Sequence, residues 1–252
     1  MHIDLVLGRL KVAGLKVKPS KCRFAQEEVL FLGHTVGSGS RSPSDMKIKA
    51  IKDFPPPTTK TQVRSFLGIV GYYAHYIPNY SEIASPLTDA LKGKIKRESI
   101  TWDERCEKAF AELKDKLVSK PILFAPDFSK DFILQTDASD IGAGVVLSQK
   151  INGEEHPILY LSKKFSRAER NYSTVERELA AIIFGLKRLK HYLDGQKFII
   201  ETDHNPLKYL NKMGGSNPRL QRWALSLQPF NFEIRHKPGK LHGNADGLSR
   251  LE

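Results

Sequence analysis

The stretch that most constrains the fold of this chain is residues 132–146, FILQTDASDIGAGVV in one-letter code. An apolar run ends at the carboxylate of Asp137, passes through a short turn containing Gly142, and resumes as a second β-branched run. This pattern predicts a β-hairpin with Asp137 at the end of its first strand, next to the turn. A carboxylate at the end of a buried strand is costly unless a cation meets it. The stretch therefore suggests a metal-ion site.

A second strand repeats this arrangement. Residues 197–203 (KFIIETD) predict a strand with an apolar centre that ends in Thr202-Asp203. The residues that follow, His204-Asn205-Pro206, are typical of a helix N-terminus. Two strands would then deliver carboxylates at their C-terminal ends. In an α/β sheet with parallel neighbours, that edge is where ligands bind.

A helix predicted from Ser173 to about His191 adds a third acid. Ser173 and Glu176 have the spacing of a capping box, which gives Glu176 a structural role. At about 100° per residue, Glu178 lies on the edge of the apolar stripe and points towards the sheet, whereas Glu176 points about a quarter turn away.

The fourth acid is Asp246, near the start of a short helix predicted at the C-terminus. Taken alone, Asp246 is explained by a favourable interaction with the helix dipole. As a set, the four acids offer only oxygen ligands, which suit Mg²⁺ or Mn²⁺ rather than zinc. Two such ions about 3.5–4 Å apart can activate water and stabilise the leaving oxygen in phosphodiester cleavage.

The net charge of +12 favours a polyanionic partner such as nucleic acid, with a merely basic soluble protein as the alternative. No run approaches the roughly 18 uninterrupted apolar residues of a membrane helix, and the N-terminus lacks the layout of a signal peptide. The two cysteines, Cys22 and Cys106, are interpreted as buried or idle thiols in a reducing compartment. We therefore expect an intracellular protein with no membrane partner.

The N-terminal half has a different pattern. A helix is predicted over residues 4–15, followed by two alternating runs at 15–17 and 29–36 that are expected to pair as strands. Prolines divide residues 43–91 into short helices, one of which has its apolar stripe within residues 61–74. The aromatic cluster at residues 72–76 is interpreted as core, with a stacking surface for nucleic acid as the alternative. Residues 102–118 predict another amphipathic helix, and an α/β unit begins at about residue 122.

Several motifs in fixed order resemble the C-terminal part of a reverse transcriptase of the Ty3/Gypsy retrotransposon type. The RNase H domain of that family is resembled by TDAS at 136–139, YSTVERELAAI at 172–182, TDHNPL at 202–207 and GNADGLSR at 243–250. The end of the polymerase palm and the thumb are resembled by FLGH at 31–34, RSFLG at 64–68, YY at 72–73 and IPNY at 77–80.

The resemblance implies a small helical thumb unit followed by an RNase H-like mixed five-stranded sheet flanked by helices. The domains expected are the end of the palm with a helix and a strand pair (1–42), a helical thumb-like domain (43–93), a linker and connecting helix (94–120) and an RNase H-like domain (121–252).

The resemblance also implies an activity: an endonuclease that cuts the RNA strand of RNA–DNA hybrids with two Mg²⁺ or Mn²⁺ ions. Its metal-binding acids would be Asp137, Glu178, Asp203 and Asp246. The helper histidine of the family would be His236 by its spacing to Asp246, with His242 as the competitor. We expect this activity in the cytoplasm, with the nucleus or virus-like particles as alternatives, and a homodimer in the parent enzyme.

Contacts to the hybrid are expected from basic side chains, with Asn205 reading the hybrid beside Asp203. Phosphates would be neutralised by Lys163, Lys164, Arg167 and Arg170, in addition to basic residues of the thumb. The Tyr-x-Asp-Asp polymerase motif of the family does not occur in the sequence. We therefore expect polymerase activity only in a longer parent polyprotein. The alternatives are a non-catalytic nucleic-acid-binding remnant retained by a host and, less favoured, a DNA-integrating or resolving enzyme.

Overall fold

The computed structural model describes residues 2–93, 100–202 and 218–236. Helix α1 (His2–Val12) comes first, followed by a short 3-10 helix (Pro19–Lys21) and a four-stranded antiparallel sheet. The strands of this sheet, in order, are β1 (Glu28–Phe31), β2 (His34–Gly37), β3 (Ser40–Pro43) and β4 (Leu123–Phe124).

The predicted pairing of residues 15–17 with residues 29–36 is wrong. The apolar run at 29–36 is itself a hairpin, because Leu32 and Gly33 both have positive φ angles (47° and 81°) and reverse the chain between β1 and β2. Two consecutive residues of positive φ are typical of a tight hairpin turn. Strand β4, from the predicted RNase H-like part of the chain, completes this first sheet by pairing with β3. The predicted domain boundaries stay predictions.

A helical unit follows the first three strands. It contains α2 (Asp45–Lys52), α3 (Lys60–Tyr72), α4 (Tyr80–Ile83), α5 (Ser85–Ala90) and α6 (Glu104–Val118), with a 3-10 turn at Ala74–Tyr76. Helix α3 begins with a capping box between Thr59 and Gln62. Its predicted apolar stripe forms the centre of a core shared with α6, where Phe66 packs on Phe110 with ring centroids 4.5 Å apart.

The aromatic cluster belongs mainly to this core, as predicted, because Tyr73 and Tyr76 are 1% and 3% exposed. Both buried hydroxyls have partners in the β1–β2 hairpin. Tyr73 donates to the carbonyl of Gly33 (2.8 Å), and Tyr76 shares a hydrogen bond with Nδ1 of His34 (2.9 Å). The hairpin is thereby attached to the end of α3.

The second sheet has five strands in the order β7-β6-β5-β8-β9. They are β5 (Phe132–Ala138), β6 (Gly142–Ile151), β7 (Glu154–Lys164), β8 (Lys197–Thr202) and β9 (Asn231–His236). Strands β5, β6 and β7 are antiparallel neighbours, whereas β5, β8 and β9 run parallel. The helices are α7 (Arg167–Arg170), α8 (Thr174–Arg188), α9 (Lys190–Leu193) and α10 (Pro218–Leu227). The predicted mixed five-stranded sheet flanked by helices is confirmed.

Helix α8 covers one face of this sheet. Its predicted stripe is buried, with Leu179 and Ile182 at 0% exposure, and it packs on Phe132 and Leu134 of β5. At Gly185 the helix approaches closely, because an added Cβ would lie 3.2 Å from Val145 and 3.5 Å from Leu134.

The helical unit packs against the opposite face of the sheet. Tyr160 of β7 joins the core of the helical unit, and its carbonyl accepts a hydrogen bond from His75 (3.1 Å). The backbone N–H of Ser81 donates to the hydroxyl of Ser162 (2.8 Å). The two units are therefore in direct contact through β7. None of the helices within the described ranges is long and apolar enough to cross a membrane.

Candidate active site

Asp137 is the next-to-last residue of β5 and is partly exposed. Side chains alternate along a strand, and Phe132 and Leu134 face α8, so Asp137 and Gln135 point to the other face. There Asp137 lines a cavity of about 10 Å³ between the sheet and the helical unit, together with Pro78, Asn79, Gln135, Gly144, Val145, Val146, Tyr160 and Leu161. The first predicted acid is thus at the contact between the two units.

The β5–β6 turn fixes the edge at which Asp137 lies. The hydroxyl of Ser139 accepts hydrogen bonds from the backbone N–H groups of Ile141 and Gly142, both at 3.1 Å. Arg177 of α8 forms an ion pair with Asp140 in the same turn. These contacts hold the N-terminal part of α8 against the end of β5.

Glu178 lies at this same edge of the sheet. Ala181 of α8 packs beside Ala138 of β5, whereas Gly185 lies beside Leu134, so the helix runs antiparallel to the strand. Glu178 precedes Ala181 by three residues, which places it near the end of β5, where Asp137 lies. Its side chain is 3% exposed. The predicted acid is therefore buried and lies in the N-terminal part of α8, and its role at the site stays a prediction.

Glu176 has the capping role that was predicted. The Ser173 side chain accepts from the Glu176 N–H, and the Glu176 carboxylate accepts from the Ser173 N–H (2.9 Å). Arg219 of α10 forms an ion pair with Glu176 and lies 4.1 Å from the ring centroid of Tyr172. Burial alone would raise the pKa of Glu176. The hydrogen bonds from Ser173 and Arg219 outweigh this effect and hold the pKa below its ordinary value.

The C-terminal ends of β5, β8 and β9 meet at one edge of the sheet, since these strands are parallel. His236 is the last residue of β9, in register with Thr202 of β8. Asp203, Asn205, His242 and Asp246 lie outside the described residues. Across residues 2–93, 100–202 and 218–236, no three His, Cys, Asp or Glu side chains are grouped to hold a metal ion.

The predicted phosphate-binding residues are in two different environments. Lys163 and Lys164 have partners within the protein: Lys163 bonds to Glu169 (2.5 Å), and Lys164 bonds to Ser85 and Asp89 of the helical unit. Arg167 and Arg170 are exposed. They line an open cleft of about 560 Å³ together with Thr88, Asp89, Lys92, Lys164 and Phe165. Their role in binding phosphates stays a prediction.

Sequence reasoning missed the residues of the helical unit that lie near Asp137. Glu82 of α4 is one, because burial and then the charge of Asp137 raise the pKa of its carboxyl. Asn79 is another, since its side chain occupies the space next to Gly144. Both precede Asp137 by more than 50 positions, and no periodic pattern connects them with it. The only local signal was Pro78-Asn79, which is typical of a turn.

Comparison with known proteins assigns this region to a family. Residues 127–230 match the family described as "RNase H-like domain found in reverse transcriptase". This segment is a reverse-transcriptase RNase H-like domain. It includes Asp137, Glu178 and Asp203, whereas His236 and Asp246 lie beyond the matched range.

Relatives of the whole chain are retrotransposon polyproteins. It is 42% identical over 252 residues to the "Retrovirus-related Pol polyprotein from transposon 297" of Drosophila melanogaster, covering 99% of this chain and 23% of that polyprotein. It is 39% identical over 255 residues to the "Transposon Tf2-3 polyprotein" of Schizosaccharomyces pombe, covering 99% of this chain and 19% of the relative. The predicted resemblance to reverse transcriptases of the Ty3/Gypsy type is confirmed.

Solved structures share the fold of the RNase H-like domain and its helical unit. A foamy viral protease-reverse transcriptase in complex with RNA/DNA hybrid matches with a TM-score of 0.79 and 18% identity, covering 100% of this chain and 35% of the viral chain. The same kind of viral enzyme in complex with dsDNA matches with a TM-score of 0.77 and 21% identity, covering 93% of this chain and 50% of the viral one.

Proposed function

We propose that the RNase H-like domain is an endonuclease that hydrolyses the RNA strand of RNA–DNA hybrids, as the C-terminal part of a retrotransposon reverse transcriptase. Asp137, Glu178, Asp203 and Asp246 are its metal-binding carboxylates. The observation that carries this proposal is the position of Asp137 and Glu178, which two separate elements bring to one edge of the sheet.

The burial of Glu178 supports a functional role for this acid. Its carboxylate is 3% exposed in the second turn of α8, and a buried carboxylate is stabilised only by groups that meet its charge. Its neighbours in α8 show that apolar residues suit this face, since Leu179 and Ile182 are fully buried. The chain therefore places a buried carboxylate at the position where a nuclease of this family would use it.

The donor set fits Mg²⁺ or Mn²⁺, because the described members of the set, Asp137 and Glu178, offer carboxylate oxygens. When bound, two such ions would supply charge to activate water and to stabilise the leaving oxygen. The protein's own contribution is to fix these carboxylates at the sheet edge. His236, at the end of β9, is the candidate for transferring a proton, a role that imidazole side chains commonly take in catalysis.

The partner we propose is an RNA–DNA hybrid held through its backbone. The net charge of +12 and the exposed side chains of Arg167 and Arg170 support binding to phosphates. Discrimination of RNA would come from contacts to 2′-hydroxyl groups in the minor groove, with Asn205 as a candidate.

The test is cleavage of a labelled RNA–DNA hybrid by the purified chain with Mg²⁺ or Mn²⁺. We expect cleavage that is lost in EDTA and in Asp137→Asn, which removes the charge but keeps the shape of the side chain. Comparing His236→Ala with His242→Ala assigns the helper histidine, and we expect the larger loss for His236→Ala. If the wild-type chain leaves the hybrid intact with both ions, the proposal is wrong.

A second candidate is a non-catalytic nucleic-acid-binding protein derived from the same kind of element. One observation favours it: Asp137 faces the helical unit, with Asn79 in the same cavity wall, which narrows the approach to its carboxylate. This candidate predicts hybrid binding, weakened by salt, without cleavage. A gel-shift assay run beside the cleavage assay distinguishes the two.

A further inference from the structure

Gly144 is the cross-strand partner of Asp137 in the β5–β6 ladder. Residues directly opposite each other in an antiparallel pair project to the same face of the sheet. A side chain at position 144 would therefore stand next to the Asp137 carboxylate. Because position 144 is glycine, this space is open to a group from elsewhere in the chain.

The side chain of Asn79 occupies that space. A Cβ added at Gly144 would lie well within van der Waals contact of Oδ1 of Asn79. Asn79 is 9% exposed and lines the same small cavity as Asp137 and Gln135. An amide from the helical unit therefore takes the place of the missing neighbour of Asp137.

The backbone of Asn79 is held in position by contacts on both sides of it. Asn79 has the left-handed conformation (φ 50°, ψ 29°), which asparagine tolerates better than most residues. Before it, His75 bonds to the carbonyl of Tyr160 (3.1 Å); after it, Ser81 bonds to Ser162 through both its N–H (2.8 Å) and its hydroxyl (3.0 Å). The side chain projects towards the sheet rather than capping α4.

We propose that Asn79 is a positioning residue for Asp137. Wedged at Gly144, its amide limits the rotamers of the Asp137 carboxylate and holds this group at the sheet edge. The helical unit is then part of the nuclease site rather than only a neighbour of it. This inference rests on the proposed function, and it adds a residue that lies outside the matched RNase H-like domain.

The first test is Asn79→Gly in the full chain. Glycine adopts the left-handed conformation readily, so the substitution removes the amide without straining the backbone. We expect kcat for hybrid cleavage to fall about 10- to 100-fold with KM almost unchanged, since a small misplacement of a reacting group costs rate rather than binding. Ser81→Ala is the matched control. It removes the hydrogen bond between the hydroxyls of Ser81 and Ser162, which also joins the helical unit to β7 but lies away from Asp137. An equal loss of kcat in Ser81→Ala would overturn the proposal.

A variant with both Gly144→Ala and Asn79→Gly tests whether Asn79 positions the Asp137 carboxylate or only fills the space next to Gly144. Gly144→Ala alone should lower the melting temperature, because its methyl group collides with Asn79. Adding Asn79→Gly relieves this collision, so we expect the melting temperature to recover while kcat stays low. If kcat recovers together with the melting temperature, Asn79 only fills space and the proposal is wrong.

A structural readout decides the question without cleavage. Crystal structures of the wild type and of Asn79→Gly would show whether the Asp137 side chain changes. We expect one Asp137 rotamer in the wild type and more than one in the variant, and a single shared rotamer in both would contradict the positioning role. If the wild type cleaves no hybrid, the proposed function fails, and this comparison still tests Asn79.

Discussion

Glu82 of helix α4 lies close enough to Asp137 of strand β5 for the two carboxylates to repel each other. Burial is the main cause that raises the pKa of Glu82, and the charge of Asp137 is the second. A raised pKa of an acid in the folded state means that its ionised form destabilises the fold. This repulsion connects the helical unit electrostatically with the predicted nuclease site.

Glu82→Gln should therefore stabilise the metal-free protein at neutral pH. The wild type loses stability as the pH rises from the ordinary pKa of Glu through the raised value, whereas the variant does not. We expect a melting temperature about 1–2 °C higher for the variant at pH 7 and no difference near pH 4. Scanning fluorimetry in EDTA measures both. Glu27→Gln, at an exposed acid outside the helices and strands, is the control and should shift neither value.

His34, which joins the β1–β2 hairpin to Tyr76, should make the protein less stable as the pH falls. This is opposite in sign to the effect of Glu82. Burial, and then the charge of Arg41, lowers the pKa of His34, so the folded state binds the proton less tightly than the unfolded chain. Stability is then fully present above pH 6.5 and decreases as the pH falls below this value. We expect His34→Gln to lose about 1–2 °C less than the wild type between pH 7 and pH 5.5. Thr35→Ala replaces an uncharged neighbour of His34 in β2, and its loss over the same pH range should equal that of the wild type.

The two acids at the start of α8 should give opposite phenotypes. Glu176→Ala removes the capping box and the partner of Arg219, so we expect a loss of about 1 kcal/mol in stability with cleavage retained. Glu178→Gln keeps the shape but removes the charge, and we expect cleavage to fall by roughly 100-fold or more, on the scale of losing an electrostatic contact in the transition state. Denaturation curves and cleavage rates of both variants decide the assignment. Normal cleavage by Glu178→Gln would remove this acid from the site.

Substitutions of the basic residues at and after the end of β7 should have two different effects, one on hybrid binding and one on stability. Arg167→Ala and Arg170→Ala remove exposed charges, so we expect weaker hybrid binding and a plot of log affinity against log salt that is shallower by about 0.9 for each phosphate that is no longer neutralised. Lys164→Met instead breaks the bonds to Ser85 and Asp89 and should mainly lower the melting temperature. Fluorescence anisotropy at several salt concentrations measures the first effect. An unchanged slope in the double arginine variant would exclude these residues from phosphate binding.

The second sheet and α8 could be predicted because their local signals agree. The apolar period of α8, its capping box and the strand patterns around Asp137 all indicate the observed elements. The β1–β2 hairpin was missed because Leu32, a residue that rarely has positive φ, provides half of the turn. The approach of Asn79 to Gly144 could not be predicted, since it depends on how two separately patterned units pack.

The packing of Tyr160 into the core of the helical unit has a consequence for folding cooperativity. A fragment limited to residues 127–230 would expose this ring to water and would lose the bonds from His75, Ser81 and Ser85 to β7. It would also lack β9, the edge strand of the five-stranded sheet next to β8. We therefore expect the segment that defines the family to be less stable when excised than within this chain. Calorimetry of the full chain should show one transition, and the excised fragment should melt at a lower temperature or aggregate.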